Sequence, residues 1–528
     1  MDIAQLQIRL APMIRERIGL TILGALLFVI VTTSVAVYVA SGRSPHRVLR
    51  TRDSDVRLRD VVGASAVKRE AIDALHLFLN HATFQDRMGG TGHRGVLFEG
   101  ASGTGKTYIA KALAAEAEVA LLVVSANQLQ SMFPGQTKRK IRSFFKALRR
   151  AARADGGAIG LIDDFELIGS ARAGTALLSS RDGASSIVFE LLAEMDRLAT
   201  WQPRRRGRLA QLAKRLLPSS RASVPTTSRE PNVLVIATTS RAAELDAALV
   251  VPGRFDRTIH FDLPPRSDRL AVAEFHLARK SHELSVSAAL VGDLTAGYTP
   301  SGIERLLDEA LIVALQDNRV SMRYHDVIAA QLITEVGVAQ EVGYHPDERR
   351  RVAIHQAGHA LTAALVGRDV KLASILRRSG VLGMVQHGDV DERFLRTPSE
   401  ARDIMMVTLA GRAAEVQEFG EASSGVADDL RTATVIAAEL VGLLGAGDTL
   451  LNLGAAMPAN EGNVVEVVLA DSAARAKAEG LMNAAADRAA CAVLEHRRAL
   501  LALADALVEQ DELSGDEVHI IVAGALTS

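Results

Sequence analysis

The sequence predicts an α/β module with a parallel sheet and a helical lid, followed by an all-α domain, with one transmembrane helix near the N-terminus. Between residues 57 and 265, short apolar strands alternate with helical stretches, which is the pattern of a parallel α/β sheet. From residue 268 onward the apolar residues recur at helical spacing. A chain of 528 residues is too long for one hydrophobic core and should form several domains.

Composition is that of an ordinary globular protein. Hydrophobic residues make up 48% of the chain and the formal net charge is −1, so the overall charge gives no reason to expect a nucleic-acid partner. The single cysteine, Cys491, excludes an internal disulfide and a cysteine-based metal site, and it suits a reducing compartment.

Residues 18–40 form a charge-free apolar run that is long enough to cross the ~30 Å hydrocarbon core of a membrane as a helix. The alternative is a cleaved signal peptide, since Val39, Ala40 and Ser41 provide a small-residue ending. Slightly more arginines follow the run than precede it, which favours a cytoplasmic location for the C-terminal body. The arginines are Arg43, Arg47, Arg50 and Arg52 after the run, and Arg9, Arg15 and Arg17 before it. The sequence therefore predicts a single-pass membrane protein.

Changes in composition suggest the domain boundaries. An insertion at 201–231 interrupts the α/β part and carries eight basic residues and one acid, Glu230. It is either a disordered, solvated segment or a basic patch that contacts acidic lipid or a partner. The predicted segments are 1–17 before the span, a linker at 41–56, the α/β subdomain at 57–265, the helical lid at 266–342 and the all-α domain at 343–528.

A phosphate-binding loop is predicted at residues 100–107, "GASGTGKT", between a strand and a helix. Backbone N–H groups of such a loop and the helix N-terminus meet the phosphates of ATP. Lys106 is expected to reach the β and γ oxygens, and the hydroxyl of Thr107 to bind Mg²⁺. The predicted nucleotide-binding residues are Gly100, Ala101, Ser102, Gly103, Thr104, Gly105, Lys106 and Thr107.

The strand "AIGLIDD" ends in two acids, Asp163 and Asp164. Asp163 suits Mg²⁺ binding through water, whereas Asp164 lies where a glutamate usually orients the attacking water. Since Asp164 is one methylene shorter, the carboxylate should stand back by ~1 Å, which lowers the rate by about 10²-fold. Nucleotide binding should therefore survive better than turnover.

Two arginines, Arg254 and Arg257, occur in "VPGRFDR" after the strand at 232–240. Their position suits arginine fingers that reach the γ-phosphate bound by a neighbouring subunit.

A zinc site is indicated by "VAIHQAGHAL", residues 352–361. His355 and His359 are four residues apart, so they share one face of a helix and can bind one ion. In the H-E-x-x-H pattern of zinc peptidases, the residue after the first histidine is the general base. Here that residue is Gln356, whose amide cannot accept a proton near neutral pH. Because general-base catalysis contributes about 10²–10⁴-fold, peptidase activity should be very low.

From about residue 57 to its end the chain resembles the FtsH family of membrane-anchored AAA+ zinc proteases. "LRDVVGASAVKRE" resembles the family's entry motif and implies that Gly63 lies near the adenine. "SMFPG" resembles the pore loop and implies that Phe133 grips a threaded polypeptide. "EFHLARK" places His276 at the family's histidine near the nucleotide.

The resemblance extends to the peptidase part, with departures. "HQAGH" is similar to the family's H-E-A-G-H, and "SSGVADDLRTAT" to the segment with the third zinc ligand, which falls on Asp429. At the position of the family's sensor asparagine this chain has Thr239. At the position of the family's intersubunit motif "DGF" it has "DRL", residues 196–198. In place of the Gly-Ala-Asp of the family's lid helix, this chain has Pro-Ser-Gly at 300–302. Members of the family usually have two membrane spans, whereas this sequence predicts one.

These features predict a membrane-anchored AAA+ ATPase that uses ATP and Mg²⁺ to thread or remodel polypeptides. It is expected to form a hexamer, of itself or with related subunits, and to contain a zinc site that is inactive or nearly so. Two alternatives stay open. One is a working ATP-dependent zinc endopeptidase, and the other is a structural subunit that binds ATP without hydrolysing it.

Overall fold

The protein is described here by a computed structural model. The described residues are 26–33, 42–50, 56–90, 94–131, 135–169, 183–199, 232–340, 343–378, 381–388, 395–446, 450–456 and 463–527. The chain divides into two compact units, Met1–Lys280 with Val286–Arg305, and Ser281–Ser285 with Leu306–Ser528.

The first unit contains the predicted parallel sheet. Five strands run parallel in the order β3-β4-β5-β2-β6, and β1 pairs antiparallel with β3 at the edge. Four of the parallel strands are buried on both faces for most of their length, which is why their sequences read as nearly continuous apolar runs. The strands are β1 Arg47–Leu49, β2 Gly95–Gly100, β3 Ala120–Ser125, β4 Ala158–Asp163, β5 Val233–Thr239 and β6 Phe255–Phe261.

Helices cover both faces of this sheet. On one face, α5 packs through Phe144, Phe145 and Leu148 into a core that also includes residues of α7. On the other face, α1 and α3 form a second core, to which Phe78 and Leu113 belong. The helices are α1 Ser65–Leu79, α2 His81–Asp86, α3 Lys106–Glu116, α4 Ala126–Leu129, α5 Gln136–Asp155, α6 Glu166–Gly169 and α7 Gly183–Ala199.

Part of the predicted linker 41–56 belongs to the sheet. Arg47 pairs with Val123 and Leu49 with Leu121, so this short strand closes the edge that β3 would otherwise leave open. The segment that follows the predicted membrane span is therefore fastened to the α/β module.

The range predicted as a helical lid contains four helices. Arg269 of α8 is buried, and its guanidinium donates to the carbonyls of Gly292 and Pro264. The helices are α8 Arg266–Leu277, α9 Ala288–Leu294, α10 Pro300–Gln316 and α11 Tyr324–Val336.

The prediction of an all-α domain for residues 343–528 is wrong, because an antiparallel sheet lies among its helices. Strand β8 pairs with β9, β10 and β7. Residues 372–375 of β8 are all buried, and such a short buried run cannot be told from a helical segment by periodicity alone. The strands are β7 Ala339–Gln340, β8 Asp369–Arg378, β9 Val381–Gly388 and β10 Glu512–Ser514.

The helices of this domain form most of its core. Leu361 of α12 and Leu500 and Leu503 of α17 belong to one buried cluster, together with residues of β8. The helices are α12 Pro346–Leu365, α13 Pro398–Phe419, α14 Ala427–Gly442, α15 Val464–Ala470, α16 Ser472–Glu495, α17 Arg497–Gln510 and α18 Gly515–Thr527.

The predicted transmembrane helix is not supported by the structure. Of residues 18–40 only 26–33 are described, and they are helical. Within the described ranges no helix combines the length and the apolar character needed to cross a membrane. The insertion at 201–231 lies outside the described residues.

Candidate functional site

The phosphate-loop motif forms the turn between β2 and α3. Gly103 and Gly105 have φ angles of 84° and 97°, a left-handed conformation that is strained for residues with a side chain. Lys106 donates from Nζ to the carbonyls of Gly100 and Ala101, at 2.7 Å each. Burial lowers the pKa of Lys106, and the charges of neighbouring acids oppose that shift. The loop thus has the shape and the cation that a polyphosphate requires.

The structure brings the loop together with the acids at the end of β4. A cavity of about 430 Å³ is lined by Lys106, Thr107, Asp163, Asp164 and Thr239. The hydroxyl of Thr107 lies 3.3 Å from Asp163 Oδ1, so the two predicted Mg²⁺ contacts are adjacent. The remaining lining residues are Ser102, Gly103, Gly105, Tyr108, Lys111, Glu166, Thr238, Ser240 and Ser301.

Asp164 has an unusual backbone and electrostatic environment. Its φ of 55° is left-handed, and its backbone N–H lies 3.3 Å from the hydroxyl oxygen of Thr238. Burial raises the pKa of Asp164, and the nearby charges of Asp163 and Glu166 raise it further. A raised pKa suits a carboxylate that must accept a proton during catalysis.

Among the lining residues that the sequence did not predict, Thr238 and Glu166 make hydrogen bonds at the ends of β4 and β5. Thr238 donates its hydroxyl to Asp163 and thereby orients the carboxylate. Glu166 accepts a hydrogen bond from the hydroxyl of Ser240 at 3.0 Å. Burial raises the pKa of Glu166, but hydrogen bonds from the backbone, Thr239 and Ser240 outweigh it and hold the pKa below its usual range. Neither residue belongs to the motif, and only the folded strand ends bring them to the loop.

The N-terminus of α10 packs directly on the phosphate loop. The backbone N–H of Ser301 donates to the carbonyl of Gly103 at 3.3 Å. A Cβ on Gly103 would lie 2.1 Å from the hydroxyl oxygen of Ser301, so only glycine fits there. The Pro-Ser-Gly segment at 300–302, which differs from the family's Gly-Ala-Asp, therefore contacts the phosphate loop.

The two predicted arginine fingers do not line this cavity. Arg254 forms a bidentate ion pair with Asp196, with Nε–Oδ1 and Nη2–Oδ2 distances of 2.9 and 3.1 Å. It also donates to the carbonyl of Ala248 at 2.6 Å. Arg257 lies in β6, where it pairs in register with Val96. Both remain candidates for a site completed by another subunit.

The other residues expected near the nucleotide lie outside the lining of the cavity. Gly63 has a φ of 69°, and a Cβ there would lie 3.2 Å from Asp268 of α8. His276 Nδ1 is 3.8 Å from Glu304 Oε1. Phe133, the predicted pore residue, lies outside the described residues.

In the second unit, His355, His359 and Asp429 converge from two helices. Their candidate ligand atoms all lie within 4.8 Å of one another. Asp429 Oδ2 is 3.1 Å from His355 Nε2 and 3.4 Å from His359 Nε2. Two histidines and one carboxylate are the ligand set of several catalytic zinc sites, with the fourth position open to water.

Hydrogen bonds hold both imidazole rings with Nε2 toward Asp429. His355 Nδ1 is 2.8 Å from Glu415 Oε1, and His359 Nδ1 is 2.7 Å from the carbonyl oxygen of Val407. Glu415 is buried and accepts further hydrogen bonds from the backbone N–H and the hydroxyl of Ser423, at 2.6 and 3.0 Å, and from Arg351 Nη1 at 3.4 Å. Such outer contacts fix the tautomer and orientation of metal-binding histidines. Sequence reasoning missed Glu415 because it lies on a different helix, 60 positions from His355.

Two features show that these residues fit a metal ion. Asp429 Oδ2 is buried and, among the described residues, receives no well-formed hydrogen bond. Burial lowers the pKa of His355, but the carboxylates of Asp429 and Glu415 outweigh it and raise the pKa to about 9. The pocket therefore concentrates negative charge around two imidazoles, which is an environment that a divalent cation would neutralise.

Gln356 lies beside this trio. It is buried and lines a cavity of about 880 Å³ together with His355, His359 and Asp429. Gly383 of β9 packs against it, since a Cβ there would lie 3.1 Å from Gln356 Cγ. The side chain thus lines the same cavity as the three candidate ligands, and its chemistry is that of a neutral amide.

Comparisons with known proteins agree with this division into two sites. The model of the ATPase family associated with various cellular activities (AAA) matches residues 96–263, and that of peptidase family M41 matches residues 342–521. The chain is similar to ATP-dependent zinc metalloprotease FtsH 1 of Symbiobacterium thermophilum, with 34% identity over 91% of this chain and 75% of the relative. ATP-dependent zinc metalloprotease FtsH of Pseudomonas putida is 33% identical over 78% of this chain and 62% of its own length. The protein of the same name from Acidothermus cellulolyticus is 30% identical over 91% of this chain and 69% of its own.

Replacing Gly411 with alanine is expected to abolish zinc binding. A Cβ at Gly411 would lie 2.5 Å from His359 Nε2 and 2.6 Å from His355 Nε2, in the space that the two ligand atoms occupy. Zinc content of the purified protein, measured by atomic absorption, should fall from about one ion per chain to background.

Gly480→Ala provides the matched control. Gly480 also lies within a helix, is exposed, and has no atom within 4 Å of an added Cβ. This variant should keep its zinc, and full zinc content in Gly411→Ala would refute the placement of the metal.

Proposed function

Because the chain belongs to the FtsH family of ATP-dependent zinc metalloproteases, we propose that it is an ATP-driven protein motor whose zinc site hydrolyses peptide bonds very slowly. Family membership supports ATPase activity and implies ATP, Mg²⁺ and Zn²⁺ as cofactors. The observation that carries the proposal is Gln356, which stands beside a complete set of zinc ligands. The ligands are kept, and the group that would remove a proton from water is absent.

In the nucleotide site, we assign the phosphates to the loop at 100–107 and Mg²⁺ to Thr107 and Asp163. The contact between Thr107 and Asp163 supports this assignment. Asp164 is proposed as the residue that orients the attacking water, with Thr239 nearby as a polar sensor. Arg254 and Arg257 are assigned to the site of a neighbouring subunit in a hexamer, since neither lines the cavity of its own chain.

In the peptidase site, His355, His359 and Asp429 would hold zinc, and Glu415 would orient His355. A zinc ion bound there would polarise a peptide carbonyl and lower the pKa of a bound water. Gln356 can donate a hydrogen bond to a bound peptide or accept one from water. It cannot take up the proton that hydrolysis releases, so peptide binding is expected to outlast peptide cleavage.

The competing proposal is a working endopeptidase. The completeness of the ligand set favours it, because a decayed site would be expected to lose ligands as well as the base. The two proposals differ in the rate of peptide hydrolysis by the unmodified protein.

The remaining parts of the proposal concern the assembly. We assign membrane anchoring to residues 18–40, with the C-terminal body in the cytoplasm, and polypeptide threading to Phe133 in the pore of a hexamer. The domain division at 57–265, 266–342 and 343–528 is retained as part of this proposal.

ATP hydrolysis should be measurable in the detergent-solubilised protein and absent from Lys106→Ala, which removes the cation at the phosphates.

Asp164→Glu should raise the steady-state rate of ATP hydrolysis by up to about 10²-fold, because the added methylene moves the carboxylate ~1 Å toward the water. Asp155→Glu, an exposed change at the end of α5, is the matched control and should leave the rate unchanged. A rate for the unmodified protein equal to that of Lys106→Ala would contradict the motor proposal.

Gln356→Glu should produce zinc-dependent hydrolysis of casein, with a gain of about 10²–10⁴-fold over the unmodified protein. Gln417→Glu introduces the same charge at an exposed position on α13 and should produce no gain. Rapid hydrolysis by the unmodified protein would favour the endopeptidase. A zinc-loaded Gln356→Glu variant without any gain would show that Gln356 alone does not limit the site.

A further inference from the structure

A strap of residues 42–50 lies along helix α5 of the ATPase module. Its beginning is close to the N-terminal turn of α5, since a Cβ at Gly42 would lie 3.4 Å from a side-chain carbon of Arg139. Farther along, the backbone N–H of Ser44 donates to the hydroxyl of Ser143 at 3.2 Å. The ring of His46 then meets that of Phe144 edge-on at 6.1 Å, and β1 joins the sheet. The strap is therefore fixed to α5 over about two helical turns.

Beside the strap, α5 presents a continuous row of exposed basic side chains. Arg139, Lys146, Arg150 and Arg153 follow one another at intervals of seven, four and three residues, which places them on one face of the helix. The strap adds Arg43, Arg47 and Arg50, all exposed. Within residues 42–50 there is no acid, and α5 contains only Asp155 at its C-terminal end. These seven residues are called the basic face below.

The acids that pack against α5 are used by other arginines. Glu190 of α7 is paired with Arg142, at 2.6 Å from Nε, and Glu194 with Arg149, at 2.8 Å. Among the described residues, no carboxylate lies within ion-pair distance of Lys146 or Arg150. The flank of α5 that faces α7 is thus neutralised, whereas Lys146 and Arg150 keep their positive charges exposed to solvent.

We propose that the basic face binds the anionic phospholipid headgroups of the membrane in which residues 18–40 are anchored. This inference rests on the anchor proposed above. Three residues of extended chain span at most ~10 Å, so Arg43 must lie within about that distance of the end of the span. Contact between Gly42 and Arg139 then brings the start of α5 to the same depth. That distance is close to the Debye length of ~8–10 Å, over which charges attract an anionic surface.

The chemistry of the face suits headgroups better than a specific protein partner. Its cations are long, exposed side chains on one side of a helix and on the strap beside it. Such surfaces recognise phosphate charge density, and each lysine or arginine near an acidic membrane strengthens binding about fivefold.

The test measures the distance between α5 and the lipid surface in the full-length protein. The only cysteine, exposed Cys491, is changed to serine, and exposed Ala154 at the end of α5 is changed to cysteine and labelled with a donor fluorophore. The protein is reconstituted into vesicles of phosphatidylcholine, with or without phosphatidylglycerol, that carry an acceptor-labelled lipid. Energy transfer should rise when phosphatidylglycerol is present and fall back at high salt.

Lys146→Glu combined with Arg150→Glu should remove this rise, whereas Lys146→Arg combined with Arg150→Lys should keep it. The matched control is Arg69→Glu combined with Arg87→Glu, which makes the same change of charge at exposed positions in and just after the helices on the other face of the sheet. The control should keep the rise in energy transfer.

Flotation with phosphatidylcholine vesicles separates the two proposals. A protein that does not float with neutral vesicles would contradict the anchor. A protein that floats, but shows equal energy transfer with and without phosphatidylglycerol, would overturn the lipid contact alone. A fluorescence change on adding RNA, without one on adding phosphatidylglycerol, would assign the face to nucleic acid and also overturn it.

Discussion

The geometry of the candidate metal site at His355, His359 and Asp429 depends on how closely α12 and α13 cross. A Cβ at Gly358 of α12 would lie 2.6 Å from the carbonyl oxygen of Ala410, and one at Gly411 would meet both imidazoles. Glycines at these positions therefore let the backbone of α13 approach the helix that carries His355 and His359. The same approach brings Glu415 and the carbonyl of Val407 into contact with the Nδ1 atoms. The close packing of α12 against α13 thus sets the positions, the tautomers and the orientations of the two imidazole rings.

The nucleotide site is built differently, from the ends of parallel strands. The loop after β2, the acids at the end of β4 and the threonines at the end of β5 meet because the carboxyl ends of neighbouring parallel strands lie at one edge of a sheet. Each group is thereby placed by the register of the strands. Asp164, with its short side chain, lies within this frame and lines the same cavity as the phosphate loop, Thr107 and Asp163.

The sequence predicts the features that depend on neighbouring residues, and it does not predict those that depend on contacts between distant elements. The phosphate loop and the histidine pair were predictable because each depends on residues within one turn or one helix. Glu415, Gly411 and Thr238 were not, since their roles arise from contacts between elements that are distant in the chain. Asp429 was placed through resemblance to a family, because spacing alone gives no sign of a third ligand. The sequence does not predict strand β8, because residues buried on both faces lack the alternation of apolar and polar side chains that marks a strand.

The ion pair between Arg254 and Asp196 has a consequence for cooperation between subunits. An arginine that is already bonded to a carboxylate through two nitrogens does not gain a partner when a phosphate arrives, because it exchanges one for another. The free energy available from such an exchange is only the difference between two charge-assisted pairings, which is smaller than that of the phosphate pairing alone. In the proposed hexamer, ATP bound by one subunit would therefore change the contacts of its neighbour's Arg254 by only a small free energy, and the ATP sites are expected to be weakly coupled.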